Sequence, residues 1–375
     1  MKTDSSKYFF QRHPHAVFSS FIAALILIPC FIEFIIWIFL QHPSLNLKFP
    51  YLQTTVADIY YNHELDIVQY MPQCAQYDSQ LLYVMKEGVC HHHSIEFDCD
   101  YSFNRLGLRD DEASLHQPEF IVLGDSYAMG WGMGNDKIFS SLIERETGLK
   151  TMNASVPSYG TAREFLLLDR LDLGNLKYLV IQHCLNDFKE NEEFVENGYS
   201  LKSHPPEFYK ATVERQLNRK KYWPLLYFTT FLKVNVVQRF FSANVMGERK
   251  AFIRSASASA QPSLFFKTKF QRADFGDADK AATDFVKIIS GKPWLDSVQI
   301  IVFSISGPAY DNPDFIRALS DIKDRESYPS FIRNMKLVEA FGYLHREDYF
   351  ILDNHLNEQG HRKVANLLTA AIKSE

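Results

Sequence analysis

The sequence predicts an α/β domain, a three-layer parallel sheet with helices on both faces, preceded by one N-terminal transmembrane helix. Three observations carry this expectation. Short apolar runs of strand length end in turn residues, stretches with helical spacing separate them, and one apolar run near the N-terminus is long enough to cross a bilayer.

That run, Ala16 to Leu40, holds 25 residues with Glu33 as its only charge, against roughly 20 needed to span the hydrocarbon core. Glu33 marks either a partner helix or tolerated polarity off the helix midpoint. Lys2, Lys7 and Arg12 precede the run, whereas Lys48 alone appears in the stretch that follows. The lysine and arginine bias therefore keeps residues 1–15 in the cytoplasm and sends the chain after Leu40 outside. The run is longer than a signal-peptide core and lacks a small-x-small exit, so it reads as an uncleaved anchor over 16–40. Residues 41–95, punctuated by Pro43, Pro50 and Pro72, read as a tether and entry segment, and the main domain occupies 96–375.

Within the main domain, FIVLGDS (Phe120 to Ser126) ends a strand in glycine before a helical pattern carried by Ile138, Phe139, Leu142 and Ile143 and stopped by Gly148. LKTMNAS (Leu149 to Ser155) is a second strand, after which Thr161 and Glu164 have the spacing of a capping box. YLVIQHC (Tyr178 to Cys184) and VQIIVFSI (Val298 to Ile305) are the third and fourth. Strands alternating with helices imply a parallel sheet, whose ligands bind beyond the carboxyl ends of the strands. Residues 189–275 break this rhythm. The aromatic stretch Tyr222 to Phe241 and the SASASA segment, Ser255 to Ala260, read as a helical insertion with a flexible loop, either a substrate wall or an extra packing layer.

A net charge of −5 excludes the basic field with which proteins bind nucleic acid. Cys99 lies in EFDCDYSF, where Phe97, Cys99, Tyr101 and Phe103 alternate with polar residues as in a half-buried strand. It is a buried thiol or part of a bridge formed by two of Cys74, Cys90 and Cys99, with the pairing open. The run Cys90-His91-His92-His93 has no second ligand cluster at zinc-like spacing, so no metal and no cofactor is expected.

The chemistry-bearing residues fall at the strand ends. A serine nucleophile needs an exposed hydroxyl, a base within reach and donors aimed at the developing oxyanion. Ser126 follows the first strand, Ser158 and Gly160 the second and Asn186 the third. Asp353 and His355 precede a C-terminal helix with Val364, Leu367, Leu368 and Ala371 on one face. Asp187 reads as a residue that ties down its loop.

Taken together, Gly-Asp-Ser126, the NASVPSYGT turn, Asn186 and Asp353-x-His355 resemble, in order, the blocks of the SGNH (GDSL-type) hydrolase superfamily, over residues 96–190 and 295–372. FNRLGLRDDE, GWGM and HLNEQGH are similar to its bacterial membrane-anchored members. The resemblance implies Ser126 as nucleophile, His355 as base, Asp353 orienting the ring, and an oxyanion hole made by Ser126, Asn186 and the second block through Ser158 or Gly160. Two departures stand out. Ser158 occupies a position where relatives commonly carry glycine, and Asp353 precedes His355 by two residues where many members have three.

The expected activity is hydrolysis of an acyl ester on a cell-envelope glycan or lipid through an acyl-Ser126 intermediate. An O-acyltransferase acting with envelope-polysaccharide machinery uses the same first half, and a glycan-binding module without turnover is the remaining alternative. Trp131 and Tyr159 are the expected sugar-stacking residues. The expected placement is the bacterial inner membrane, with a periplasmic or extracellular catalytic domain.

Overall fold

In the computed structural model, which describes residues 13–237, 277–308 and 313–374, the apolar run forms one helix, α1 (Pro14–Gln41). It is long and apolar enough to cross a membrane. Phe18, Phe21, Leu25, Phe31 and Phe34 are exposed along it, and only Ile36, Phe39 and Leu40 near its end are buried. The described residues fall into two compact units. The smaller contains α1, α2 (Pro50–Ile59) and a helix over Leu226–Leu232. Lys2, Lys7, Arg12, the end of the aromatic stretch and SASASA lie outside the described residues.

The larger unit begins at Glu64. Two antiparallel hairpins come first, β1 (Ala75–Asp78) with β2 (Leu82–Met85), and β3 (Gly88–His93) with β4 (Asp98–Phe103). Alternation along β4 buries Tyr101 and Phe103 and exposes Asp98, Asp100 and Ser102, as a half-buried strand requires. A disulfide joins Cys74 to Cys90 with Cα atoms 5.2 Å apart, and Cys99 is a free thiol.

The main sheet follows: β5 (Phe120–Leu123), α3 (Ser126–Met129), α4 (Phe139–Thr147), β6 (Thr151–Asn153), α5 (Thr161–Leu168), β7 (Tyr178–His183), α6 (Asp187–Glu196), α7 (Pro206–Arg219), α8 (Ala278–Ser290), β8 (Gln299–Ser304), α9 (Asp314–Lys323), β9 (Lys336–Val338) and α10 (Glu358–Lys373). The strand order is β6-β5-β7-β8-β9, parallel throughout. Every residue of β5 is buried because both faces are covered. Phe120, Val122, Val180, Ile301 and Phe303 pack against Phe139, Ile143, Val364 and Leu368 from α4 and α10. The alternate residues, Ile121, Leu179, Ile181 and Val302, are buried on the opposite face. There Ala162, Phe194 and Ile288 join α5, α6 and α8 in a second cluster. Each fully buried Val, Leu, Ile or Phe contributes roughly 1.5–3 kcal/mol.

The capping box expected at Thr161 does not form. Gly160 occupies the N-cap and no side chain caps the helix. Thr161 Oγ1 donates instead to Asp187 Oδ2 at 3.2 Å, and Glu164 is fully buried with neither carboxyl oxygen hydrogen-bonded. Burial and the neighbouring Asp187 push the Glu164 pKa well above the usual carboxylate range.

The disulfide spans a sequence separation of 16 residues. Loop closure of that size stabilises by about 3 kcal/mol. The double variant Cys74→Ser, Cys90→Ser should lose about that much in chemical denaturation. Peptide mapping without reductant should recover Cys74 linked to Cys90 and Cys99 as a thiol; a Cys99-containing bridge would contradict the pairing.

Candidate active site

The chain passes from β5 outward to β6 and then returns to β7 on the other side of β5. Loops after β5 and β7 therefore diverge and open a crevice at the carboxyl end of the sheet. Gly124 makes the turn into it. A Cβ at this position would lie 2.6 Å from both Ala128 Cβ and Gln182 Oε1. Gln182 Oε1 accepts from the Asp125 N–H at 3.2 Å, and Asp125 Oδ1 accepts from the Tyr127 N–H at 2.9 Å. Ser126 is left at the first position of α3, partly exposed.

The C-terminal loop brings the other two residues to it. Ser126 Oγ is 2.7 Å from His355 Nε2, and His355 Nδ1 is 2.5 Å from Asp353 Oδ1. The carboxylate accepts only, so Nδ1 carries the proton and Nε2 is the acceptor facing the serine. Asp353 Oδ1 also accepts the His355 N–H at 3.1 Å. One carboxylate oxygen thus bonds both the backbone and the ring of the residue two positions on, which is how the short spacing is accommodated.

Trp131 and Tyr159 take other roles than the expected sugar-stacking ones, because both are buried, at 3% and 0% exposure. The Trp131 indole lies over the His355 ring, centroids 4.9 Å apart and planes 17° from parallel, and its Nε1–H donates to Asp353 Oδ2 at 3.2 Å. Behind it stands His92, edge-on at 4.8 Å. His92 Nε2 faces the Asp66 carbonyl at 3.1 Å, so it bears the proton, and Nδ1 accepts from the Tyr101 hydroxyl at 2.8 Å. Burial pushes His92 down to about 4, keeping it neutral. His91 and His93 point outward beside Asp98 and Asp100, and no group of side chains able to hold a metal occurs among the described residues.

The GWGM loop is fastened from below by Arg109 of FNRLGLRDDE. Its buried guanidinium donates to the carbonyls of Met129 at 2.7 Å, of Gly130 and of Met133, and to Asn135 Oδ1 at 3.0 Å. It also lies 4.2 Å from the Tyr101 ring centroid, a cation–π contact.

Glu96 is a residue the sequence reading missed. Its carboxylate accepts three successive backbone N–H groups, from Ile351 at 2.6 Å, Leu352 at 2.6 Å and Asp353 at 2.7 Å. These are the residues that lead into His355. Burial, reinforced by the Asp353 charge, raises Glu96 to about 7 against the pull of the three N–H groups.

The four expected oxyanion donors differ in how they are engaged. Ser158 adopts φ +60°, the left-handed conformation that glycine takes at little cost, and Gln69 Nε2 holds its hydroxyl at 3.0 Å. Its loop is tied to that of Ser126 by the Val156 N–H donating to the Gly124 carbonyl at 3.0 Å. The Ser158 and Ser126 N–H groups have no acceptor among the described residues. Asn186, exposed at the start of α6, places its side chain at the Asp125 carboxylate. Gly160 is the exception. Its N–H donates to Glu190 Oε1 at 2.9 Å, which removes it from the oxyanion hole. Asp187 ties its loop to α5 through Thr161, as expected. The Tyr159 hydroxyl donates to the Tyr83 carbonyl, and the Tyr83 hydroxyl to the Pro157 carbonyl at 2.5 Å.

The raised Glu96 pKa has a signed consequence. The folded chain binds this proton more tightly than the unfolded chain, so Glu96 costs stability as pH rises from about 4.5 through about 7. The Glu96→Gln variant lacks this titration. Its unfolding free energy relative to wild type should therefore rise by up to about 3 kcal/mol between pH 5 and pH 8, read from urea midpoints. A difference independent of pH would place an ordinary carboxylate at Glu96.

Neither a family model nor a curated protein matches the chain. Solved structures do. One is a salicylyl-acyltransferase from a tetracycline biosynthetic pathway, at 13% identity and a TM-score of 0.37, covering 69% of this chain but only 55% of that one. Another is a protein from Lactobacillus plantarum, at 11% identity and a TM-score of 0.35, covering 69% of this chain and 97% of its own. A third is a carbohydrate esterase whose active site displays divergent catalytic and non-catalytic binding functions, at 12% identity and a TM-score of 0.34, covering 69% of both chains. Likeness at this level leaves the chemistry to be argued from the side chains.

Proposed function

We propose that the chain is a membrane-anchored serine esterase of the SGNH type, removing an acyl group from a cell-envelope glycan or lipid outside the cytoplasm. The observation that carries this reading is the hydrogen-bonded series Ser126 Oγ, His355 Nε2, His355 Nδ1 and Asp353 Oδ1, at 2.7 and 2.5 Å. A cytoplasmic N-terminus is supported by the lysine and arginine bias around α1. The Cys74–Cys90 bridge fits an oxidising compartment for the larger unit.

In this reading Ser126 Oγ attacks the ester carbonyl carbon while His355 Nε2 takes its proton, and Asp353 stabilises the resulting imidazolium. The Trp131 face adds cation–π stabilisation to that same cation. The oxyanion is received by the N–H groups of Ser126 and Ser158 and by the Asn186 amide. Collapse expels the alcohol, which leaves with the proton from His355. Water then attacks the acyl-Ser126 carbonyl, gives its proton to His355, and releases the acid with Ser126 restored.

Ser126→Ala should abolish hydrolysis of an aryl acetate and labelling by a fluorophosphonate, and full labelling of that variant would place the nucleophile elsewhere. Asp353→Asn should lower kcat by about 10³- to 10⁴-fold, through loss of the productive tautomer. A loss under about tenfold in a folded variant would reduce the triad to a Ser126–His355 dyad. Asn186→Ala should lower kcat by about 10² to 10³, and an unchanged rate would remove Asn186 from the oxyanion hole.

A further inference from the structure

Glu33 lies inside α1, and its carboxylate is partnered within its own unit. The Tyr222 hydroxyl donates to Oε1 at 3.0 Å and the Phe228 N–H to Oε2 at 2.7 Å. An intramembrane carboxylate without partners is costly, so two donors from one short segment define where that segment sits along the helix. Glu33 is 19 residues beyond Pro14, about 28 Å at 1.5 Å per residue, against a hydrocarbon core about 30 Å thick. The carboxylate therefore reaches the far edge of the core when the N-terminal end of α1 rests at the near edge.

Burial changes at the same level. Phe18, Phe21, Leu25, Ile28, Phe31 and Phe34 present open side chains, whereas Ile36, Phe39 and Leu40 are covered by protein. The unit leaves further large apolar side chains uncovered. Leu47, Phe49, Tyr222, Trp223 and Leu232 are each more than one-third exposed, as is Trp37 on α1. Tyr and Trp concentrate where a bilayer meets water, with the ring in the apolar layer and the polar atom at headgroup level.

We propose that the segment from Tyr222 to Leu232, with Leu47 and Phe49, is a membrane-interface element seated in the headgroup layer of the leaflet that Glu33 reaches. Its occupant is the lipid surface, and the Glu33 hydrogen bonds set its depth. The inference rests on reading α1 as a membrane span and is independent of the catalytic residues.

The test uses the full chain reconstituted in phosphatidylcholine vesicles carrying bromine either near the headgroup or deep in the acyl chains. Tryptophan fluorescence is compared for wild type, Trp223→Phe and Trp37→Phe. Trp223→Phe should lose a large share of the quenching by shallow bromine and little of that by deep bromine. Glu33→Leu should lower the Trp223 share while leaving that of Trp37. Quenching that follows Trp37 alone would overturn the interface element and leave the anchor standing, whereas absence of quenching at both would overturn the anchor as well. Loss of a co-purifying membrane protein in Glu33→Leu, with Trp223 quenching unchanged, would assign the carboxylate to a partner helix and sink the proposal.

Discussion

The geometry of the site depends on one carboxylate that does no chemistry. Glu96 gathers the N–H groups of Ile351, Leu352 and Asp353 and so fixes the backbone from which Asp353 and His355 project. A loop of this kind would otherwise leave three buried donors to find water or move. With them satisfied by one acceptor, Asp353 can bond ring and backbone of His355 together despite having one residue between them. The cost is a carboxylate whose burial works against its own ionisation. Position is obtained at the expense of stability, as is common where a fold supports a reaction.

Much of the bracing comes from outside the sheet. Tyr83 and Gln69 hold the loop around Ser158. His92 backs Trp131, and the Cys74–Cys90 bridge ties the start of the hairpin that carries Tyr83 to the strand that carries His92. Residues 64–95 of the stretch that composition marks as an entry segment thus brace the loops of the candidate site. All of these contacts join residues far apart in the chain, and no local pattern announces them.

This separates what the sequence made legible from what it hid. Strands β5, β6, β7 and β8, the serine after β5 and the Asp353–His355 pair were visible because element type and element ends leave local signatures: apolar runs, glycine turns and helical periodicity. β9 escaped because Lys336–Val338 buries Val338 alone and opens on a lysine, so it shows no apolar run, whereas the equally short β6 is buried throughout. Trp131 and Tyr159 were misassigned because an aromatic beside a nucleophile looks the same in sequence whether it faces solvent or the core. Gly160 was equally ambiguous until Glu190 claimed its N–H. Thr161 and Glu164 match a capping pattern, yet the Thr161 hydroxyl donates to Asp187, 26 positions along the chain. In each case a tertiary partner decided between two readings that the local chain permits equally.

The ring of His355 lies between Trp131 at 4.9 Å and Tyr127 at 4.8 Å, and this confinement bears on timing. A histidine serving both halves of an acyl transfer must keep the proton it has just received and release it to the departing alcohol. An imidazole free to change rotamer would swing away from the serine in picoseconds to nanoseconds, long before an ordinary turnover is complete. The two neighbouring rings and the bonded Nδ1 restrain the imidazole where it stands. Under the proposed mechanism, packing rather than a moving part holds the protonated ring between Ser126 and Asp353.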